Sequence, residues 1–193
     1  MILKATMVAH TGDEHLARVA RISRGYSFTE RDHAHSAEDD KRLVSAIYKA
    51  GHLSVFEFAD ATYQIECPIF VARQLMRYRC ASYIERSLRH CEPIPIVVGP
   101  RDKADDAYAC GLSEYAKQLL HGEKKEEARM VLPLASPTLF LWKMNVRELF
   151  HVFDERLATS AQSETREVVR QMYDQFKDAF PLCFNAYKSK DKK

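Results

Sequence analysis

The sequence predicts an α+β domain: a small, mostly antiparallel central sheet flanked by helices, with more helix than strand. Three observations predict it. Residues 61–67 alternate, with Ala61, Tyr63, Ile65 and Cys67 on one face and Thr62, Gln64 and Glu66 on the other, as in a half-buried strand. Several longer segments repeat apolar residues at helical spacing. Strands and helices do not alternate in a βαβ rhythm, which argues against a parallel, doubly wound sheet. A length of 193 residues fits one domain, expected over residues 1–187, and 46% apolar residues suffice for a core.

In chain order, Ile2, Leu3, Ala5, Met7 and Val8 make an apolar run suited to a buried strand. Thr11 or Asp13 is placed to cap a helix that buries Leu16, Val19 and Ala20. Ser36 opens a clearer helix, with acids in its first turn and a stripe of Leu43, Val44, Ile47 and Tyr48; Gly51 ends it. After the 61–67 strand, Pro68 suits the first position of a helix that runs through Arg77. The stretch after Arg79 is polar and irregular, and Pro93, Pro95 and Pro100 extend it as a long loop. A helix over 105–121 buries Tyr108, Leu112, Tyr115 and Leu119 and stops at Gly122. Leu139 to Met144 reads as a strand whose aromatic face carries Phe140 and Trp142. Asn145, with Glu148 three residues on, starts a helix to about Leu157. Ser160 or Ser163 opens the last helix, carrying Val168, Val169, Met172 and Phe176 and stopping before Pro181. The lysine-rich residues 188–193 form a basic tail, expected to be disordered.

Composition excludes some functions. A net charge of +2 gives no bulk case for binding nucleic acid or a membrane surface. Five cysteines at no metal-ligand spacing suggest free thiols in a reducing cytoplasm, and no metal site is expected. Neither a signal-peptide core nor a bilayer-length apolar stretch is visible, so a cytoplasmic location is expected.

Chemistry concentrates between Arg73 and His90, where five arginines, Ser82, Ser87 and Glu85 crowd together. Arg73 and Arg77 share a helix face by their spacing. Guanidinium forks suit phosphate, so an anion site is one reading. The other is a solvated charged face whose arginines pair with Glu66, Glu85 and Glu92. Residue type alone leaves both open.

The order of motifs goes further. Arg73-Gln74, Arg77, Arg79, Ser82, Glu85, Ser87 and Arg89 stand in register with the signature of the flavin-dependent thymidylate synthases, the ThyX family, which this chain resembles. Gly51-His52-Leu53-Ser54-Val55-Phe56-Glu57 is similar to a second family block, and Ala128-Arg129-Met130-Val131-Leu132-Pro133 to a third. Trp142, Asn145, Leu149, Arg156-Leu157 and Ala161-Gln162 follow at family spacing.

The resemblance implies a ThyX-like fold, and a catalysed methylation at C5 of a pyrimidine nucleoside monophosphate, dUMP or UMP. FAD would be the cofactor, with methylenetetrahydrofolate as carbon donor and NADPH as reductant. It also implies a homotetramer with active sites built from several chains. By position, Gln74, Arg77, Ser87, Leu88, Arg89 and Arg129 would bind the nucleotide, and Arg156 the pyrimidine ring, with Arg156 and Ser87 at the reacting centre. Ser87 has no partnered base and reads as a binding donor rather than a nucleophile. His52, Ser54, Arg77, Tyr78, Arg79, Glu85, Asn145 and His151 would line the flavin and folate side.

Departures cluster on that side. Tyr78 stands for a family histidine, Ile84 for asparagine, Ser160 and Phe58 for histidines, and His151 for a frequent asparagine. They suggest a specialised relative, such as the UMP C5-methylases of nucleoside-antibiotic pathways. An inactive nucleotide-binding member and a small arginine-rich nucleic-acid-binding domain are the alternatives.

Overall fold

The computed structural model describes residues 1–29, 35–95 and 103–189. Pro100 and residues 190–193 of the expected tail lie outside them. Four strands form one antiparallel sheet, β1 (Lys4–His10), β2 (Asp60–Pro68), β3 (Ala81–Glu85) and β4 (Pro137–Asn145), in the spatial order β1-β2-β4-β3. The helices are α1 (Leu16–Ile22), α2 (Ala37–Lys49), α3 (Ile69–Leu75), α4 (Lys103–Leu120), α5 (Lys125–Ala128), α6 (Val146–Arg156), α7 (Ser163–Ala179) and α8 (Pro181–Lys188), and a 3-10 turn spans Leu53–Phe58. This is the expected α+β class.

β2 and β4 are the axis of the fold. Their register sets Ala61 opposite Met144, Tyr63 opposite Trp142 and Ile65 opposite Phe140, and all six side chains are buried. Tyr83 of β3 faces Trp142 from the other side and stacks on it, with ring centroids 5.8 Å apart. One aromatic row, buried on β2 and β4 and partly buried on β3, therefore crosses three strands. Above it, Phe150, Phe153, Phe176, Phe180 and Tyr187 of α6 to α8 join the same core. The Tyr63 hydroxyl donates to the Met172 carbonyl of α7 at 3.3 Å, so the one polar atom of that ring is satisfied where it is buried.

Local signals hold where they are strong. The Ser36 side chain accepts from Asp39 N–H and the Asp39 carboxylate from Ser36 N–H, a full capping box for α2, and Gly51 (φ 75°) terminates it in the left-handed region. Asn145 caps α6 by accepting from Glu148 N–H at 2.9 Å.

Five local expectations need correction. β1 is an edge strand in which only Ala5 is buried, because its apolar residues line a margin rather than the sheet centre. Thr11 and Asp13 do not cap α1: the helix starts after His15, and the buried Asp13 carboxylate accepts from Cys183 N–H at 2.7 Å instead. α3 ends at Leu75, two residues short of prediction, so Arg73 and Arg77 share no helix face. The segment after Arg79 is a strand, β3, not irregular chain; a single inward aromatic, Tyr83, anchors it, too little alternation to read locally. α7 stops before Pro181 as expected but is not the last helix: Pro181 sits at the first position of α8, where its missing N–H costs nothing.

The outer margin of β1 is closed by side chains. Gln171 of α7 accepts from Ala5 N–H (2.9 Å) and donates to the Leu3 carbonyl (3.1 Å). Gln175, one helical turn on, accepts from Met7 N–H (2.6 Å) and donates to the Ala5 carbonyl (2.9 Å).

Candidate active site

The link between α3 and β3 decides how the arginines point. Tyr78 N–H returns to the Leu75 carbonyl at 3.2 Å, and the Tyr83 hydroxyl lies against the carbonyls of both Leu75 (3.2 Å) and Tyr78 (2.5 Å). A phenol already fixed on Trp142 thus pins the turn. Pinned this way, the chain alternates: Arg77 and Arg79 are exposed, and Tyr78 between them is 5% exposed.

Tyr78 turns its ring toward Trp142 (centroids 6.0 Å) and His151 (5.5 Å), and the Arg156 guanidinium lies over it at 5.3 Å. Its hydroxyl donates to Glu155 Oε2 at 2.6 Å. α6 buries Val146, Leu149, Phe150, Val152 and Phe153, which leaves Glu148, His151 and Glu155 along its opposite face. Arg156 closes the last turn, where a cation meets the negative end of the helix dipole.

Together Arg77, Tyr78, Arg79, Glu148, His151, Glu155 and Arg156 line an open cavity of about 450 Å³. Three guanidiniums face two carboxylates there. Arg77 and Arg79 make no ion pair among the described residues, and the buried Arg156 Nε has no hydrogen-bond partner among them. Burial, then donation to Glu155, holds the Tyr78 phenol well above its ordinary range, against the pull of Arg156. The same hydrogen bond lowers the Glu155 carboxyl. A concave site with surplus cations and an orphaned N–H is built for an anion, and the donor set fits a phosphate-bearing, electron-rich cofactor such as reduced FAD.

The remaining predicted residues fall elsewhere. Arg89 pairs with Glu126 (Nε–Oε2 2.6 Å) and Arg129 Nε donates to the Glu126 carbonyl (3.3 Å), so both meet one acidic residue at α5. Ser87 and Leu88 lie half-buried in the loop that precedes Arg89, and Ser87 Oγ accepts from Arg89 N–H at 3.3 Å. His52 and Ser54 line a separate, largely apolar groove of about 580 Å³ with Leu43, Ile47 and Phe58. Gln74 is held between Gln162 (2.5 Å) and Thr165 (2.9 Å), Glu85 accepts from Thr138 Oγ1 at 2.7 Å, and the Asn145 amide oxygen is occupied as a cap. The pairing of the arginines with Glu66, Glu85 and Glu92 is not seen in the form expected among the described residues: Arg89 takes Glu126, and Arg86 donates to the Glu92 carbonyl (2.9 Å).

Sequence reasoning missed Glu155, Glu148 and Glu126. The i,i+4 relation of His151 and Glu155 was a usable signal (Nε2–Oε1 3.6 Å). Nothing local announces the Tyr78–Glu155 bond.

A sequence profile described as "Thymidylate synthase complementing protein" matches residues 6–182. Proteins named flavin-dependent thymidylate synthase are similar along most of the chain. That of Pseudothermotoga lettingae is 30% identical over 207 residues, covering 94% of this chain and 88% of the relative. That of Thermosipho africanus is 32% identical over 208 residues, covering 94% and 89%. The crystal structure of a UMP/dUMP methylase, PolB from Streptomyces cacaoi, bound with 5-Br dUMP, shares the fold with a TM-score of 0.83 at 23% identity, covering 97% of this chain and 95% of that one.

Proposed function

Since the chain belongs to the thymidylate synthase complementing protein family, we propose that it methylates C5 of a pyrimidine nucleoside monophosphate, dUMP or UMP, in a flavin-dependent reaction. The observation that carries this reading is the cavity where Arg77, Arg79 and Arg156 converge without enough acid to neutralise them. Bound FAD, reduced by NADPH, would supply the hydride that completes the methyl group, and methylenetetrahydrofolate its carbon.

The protein's part is orientation and charge. Arg77 and Arg79 hold the anionic flavin. Arg156, fixed over the Tyr78 ring, meets the pyrimidine carbonyl as electron density builds during attack from C5. Gln74, Ser87, Leu88, Arg89 and Arg129 grip the nucleotide, and His52, Ser54, Tyr78, Glu85, Asn145 and His151 border the flavin and folate. These groups occupy separate places on one protomer, which supports a homotetramer whose sites combine several chains. Ile84, 69% exposed on the outer sheet face beside the half-exposed Leu141, supplies apolar surface for such an assembly. No described helix is long and apolar enough to cross a membrane, and we place the reaction in the cytoplasm.

Single-turnover reactions with reduced FAD and methylenetetrahydrofolate test the reading. UMP, dUMP and dCMP are compared and products identified by mass. A gain of one methyl on UMP or dUMP is expected. Binding of FAD and nucleotide with no product from any of the three would leave an inactive family member.

A further inference from the structure

The arrangement around Arg156 contains a competitor for its charge. Glu155 is its chain neighbour at the end of α6, and Glu155 Oε2 stands 3.9 Å from Arg156 Nη2, at the outer limit of an ion pair. The carboxylate is 48% exposed, so its side chain has room to change rotamer toward the guanidinium. It does not lie there, because both oxygens are directed elsewhere. Oε2 accepts the Tyr78 hydroxyl at 2.6 Å, and Oε1 faces His151 Nε2 at 3.6 Å.

We infer that the Tyr78 hydroxyl is a positioning group that holds the Glu155 carboxylate off Arg156 and so keeps this cation available to an anionic ligand. Tyr78 acts twice on the same residue. Its ring supports the guanidinium from below at 5.3 Å, and its hydroxyl restrains the group that would neutralise it from the side. Phenylalanine keeps the ring and removes a hydroxyl that faces both Glu155 and Arg156, so the double variant is needed to separate the restraint from direct contact. The downward shift of the Glu155 carboxyl, caused first by that hydroxyl, agrees with a carboxylate held in its charged form by Tyr78. The inference rests on the proposed nucleotide site for the ligand that Arg156 meets, but the restraint itself belongs to the protein alone.

The test has two arms on the full chain. Crystal structures of wild type and Tyr78→Phe, without nucleotide, read the restraint directly. In the variant the Glu155 carboxylate is expected within hydrogen-bonding distance of Arg156; a carboxylate that stays in place or swings into solvent overturns the inference. In the second arm, dUMP and UMP are titrated into FAD-loaded wild type, Tyr78→Phe, Glu155→Gln and the double variant. Tyr78→Phe should bind about fivefold more weakly, the scale of one exposed ion pair. Glu155→Gln should bind as well as wild type or better, and the double variant should return to within about twofold of wild type. A double variant as weak as Tyr78→Phe would mean that the hydroxyl touches the ligand itself, and overturns the inference, as does a tenfold loss in Glu155→Gln alone. Failure of wild type to bind either nucleotide would count against the proposed function, while the crystallographic arm still decides the restraint.

Discussion

Two arginine-bearing regions of this molecule are built on opposite principles. Around Tyr78, the positions of the cations follow from the core: Trp142 fixes Tyr83, Tyr83 pins the turn, and the turn drives Tyr78 inward beneath Arg156. Around α5, Arg89 and Glu126 meet at the surface with side chains 63% and 36% exposed, and nothing buried dictates their geometry. The first region is organised before a ligand arrives. The second satisfies its own charge, and a nucleotide phosphate at Arg89 must displace a carboxylate. A place in the signature motif, which Arg89 has and Arg156 lacks, therefore says little about how ready a residue is to bind.

The largest effect that would sharpen this contrast is expected at the organised site. Arg156→Ala should lower kcat/KM for the methylation by about 100-fold or more, as loss of a charge-stabilising donor does. Its melting temperature should fall only modestly, because the guanidinium packs on one buried side chain, the Tyr78 ring. An equal loss of activity in Arg89→Ala would erase the distinction between the regions.

Next comes pH. Burial pushes the Tyr83 phenol up to about 12 and raises Tyr78 above its usual range. Both folded-state values lie above the unfolded one, so this stability is present below about pH 10 and is lost as pH rises beyond it, by at most roughly 1.4 kcal/mol per unit for each group. Denaturant melts from pH 8 to 11.5 should show the decline, and Tyr83→Phe should blunt it. A Tyr83→Phe profile that superimposes on wild type would mean that the Tyr83 phenol does not hold the turn.

The smallest effect belongs to the surface pair. Glu126→Gln should change folding stability by under about 0.5 kcal/mol. It should also tighten nucleotide binding slightly, by about twofold, since Arg89 loses its resident carboxylate. Weaker binding in titrations would show Glu126 to be an ally of the phosphate rather than its rival.

How much could be read beforehand tracks how local each cause is. The 61–67 alternation, the helix start at Ser36 and the Asn145 cap are written within a few residues, and each appears as expected. β3 was hidden because its ladder comes from β4, more than fifty residues away, and only Ala81 and Tyr83 of its five residues pack against the core. α8 was hidden because Pro181 stops one helix and starts another. At the site, Arg77, Arg79 and Arg156 were legible through resemblance to a family, not through spacing. Glu155 was not, because its meaning comes from a hydroxyl 77 positions away.

The glutamine pair on α7 sets a direction of growth for the sheet. A foreign strand arriving at the Leu3–Met7 part of this margin finds backbone groups already matched by amides, so templated addition, whether by another protomer or by a misfolded chain, is opposed there. Recruitment by strand pairing is left to the Ala81–Glu85 margin, which has no strand beyond it among the described residues.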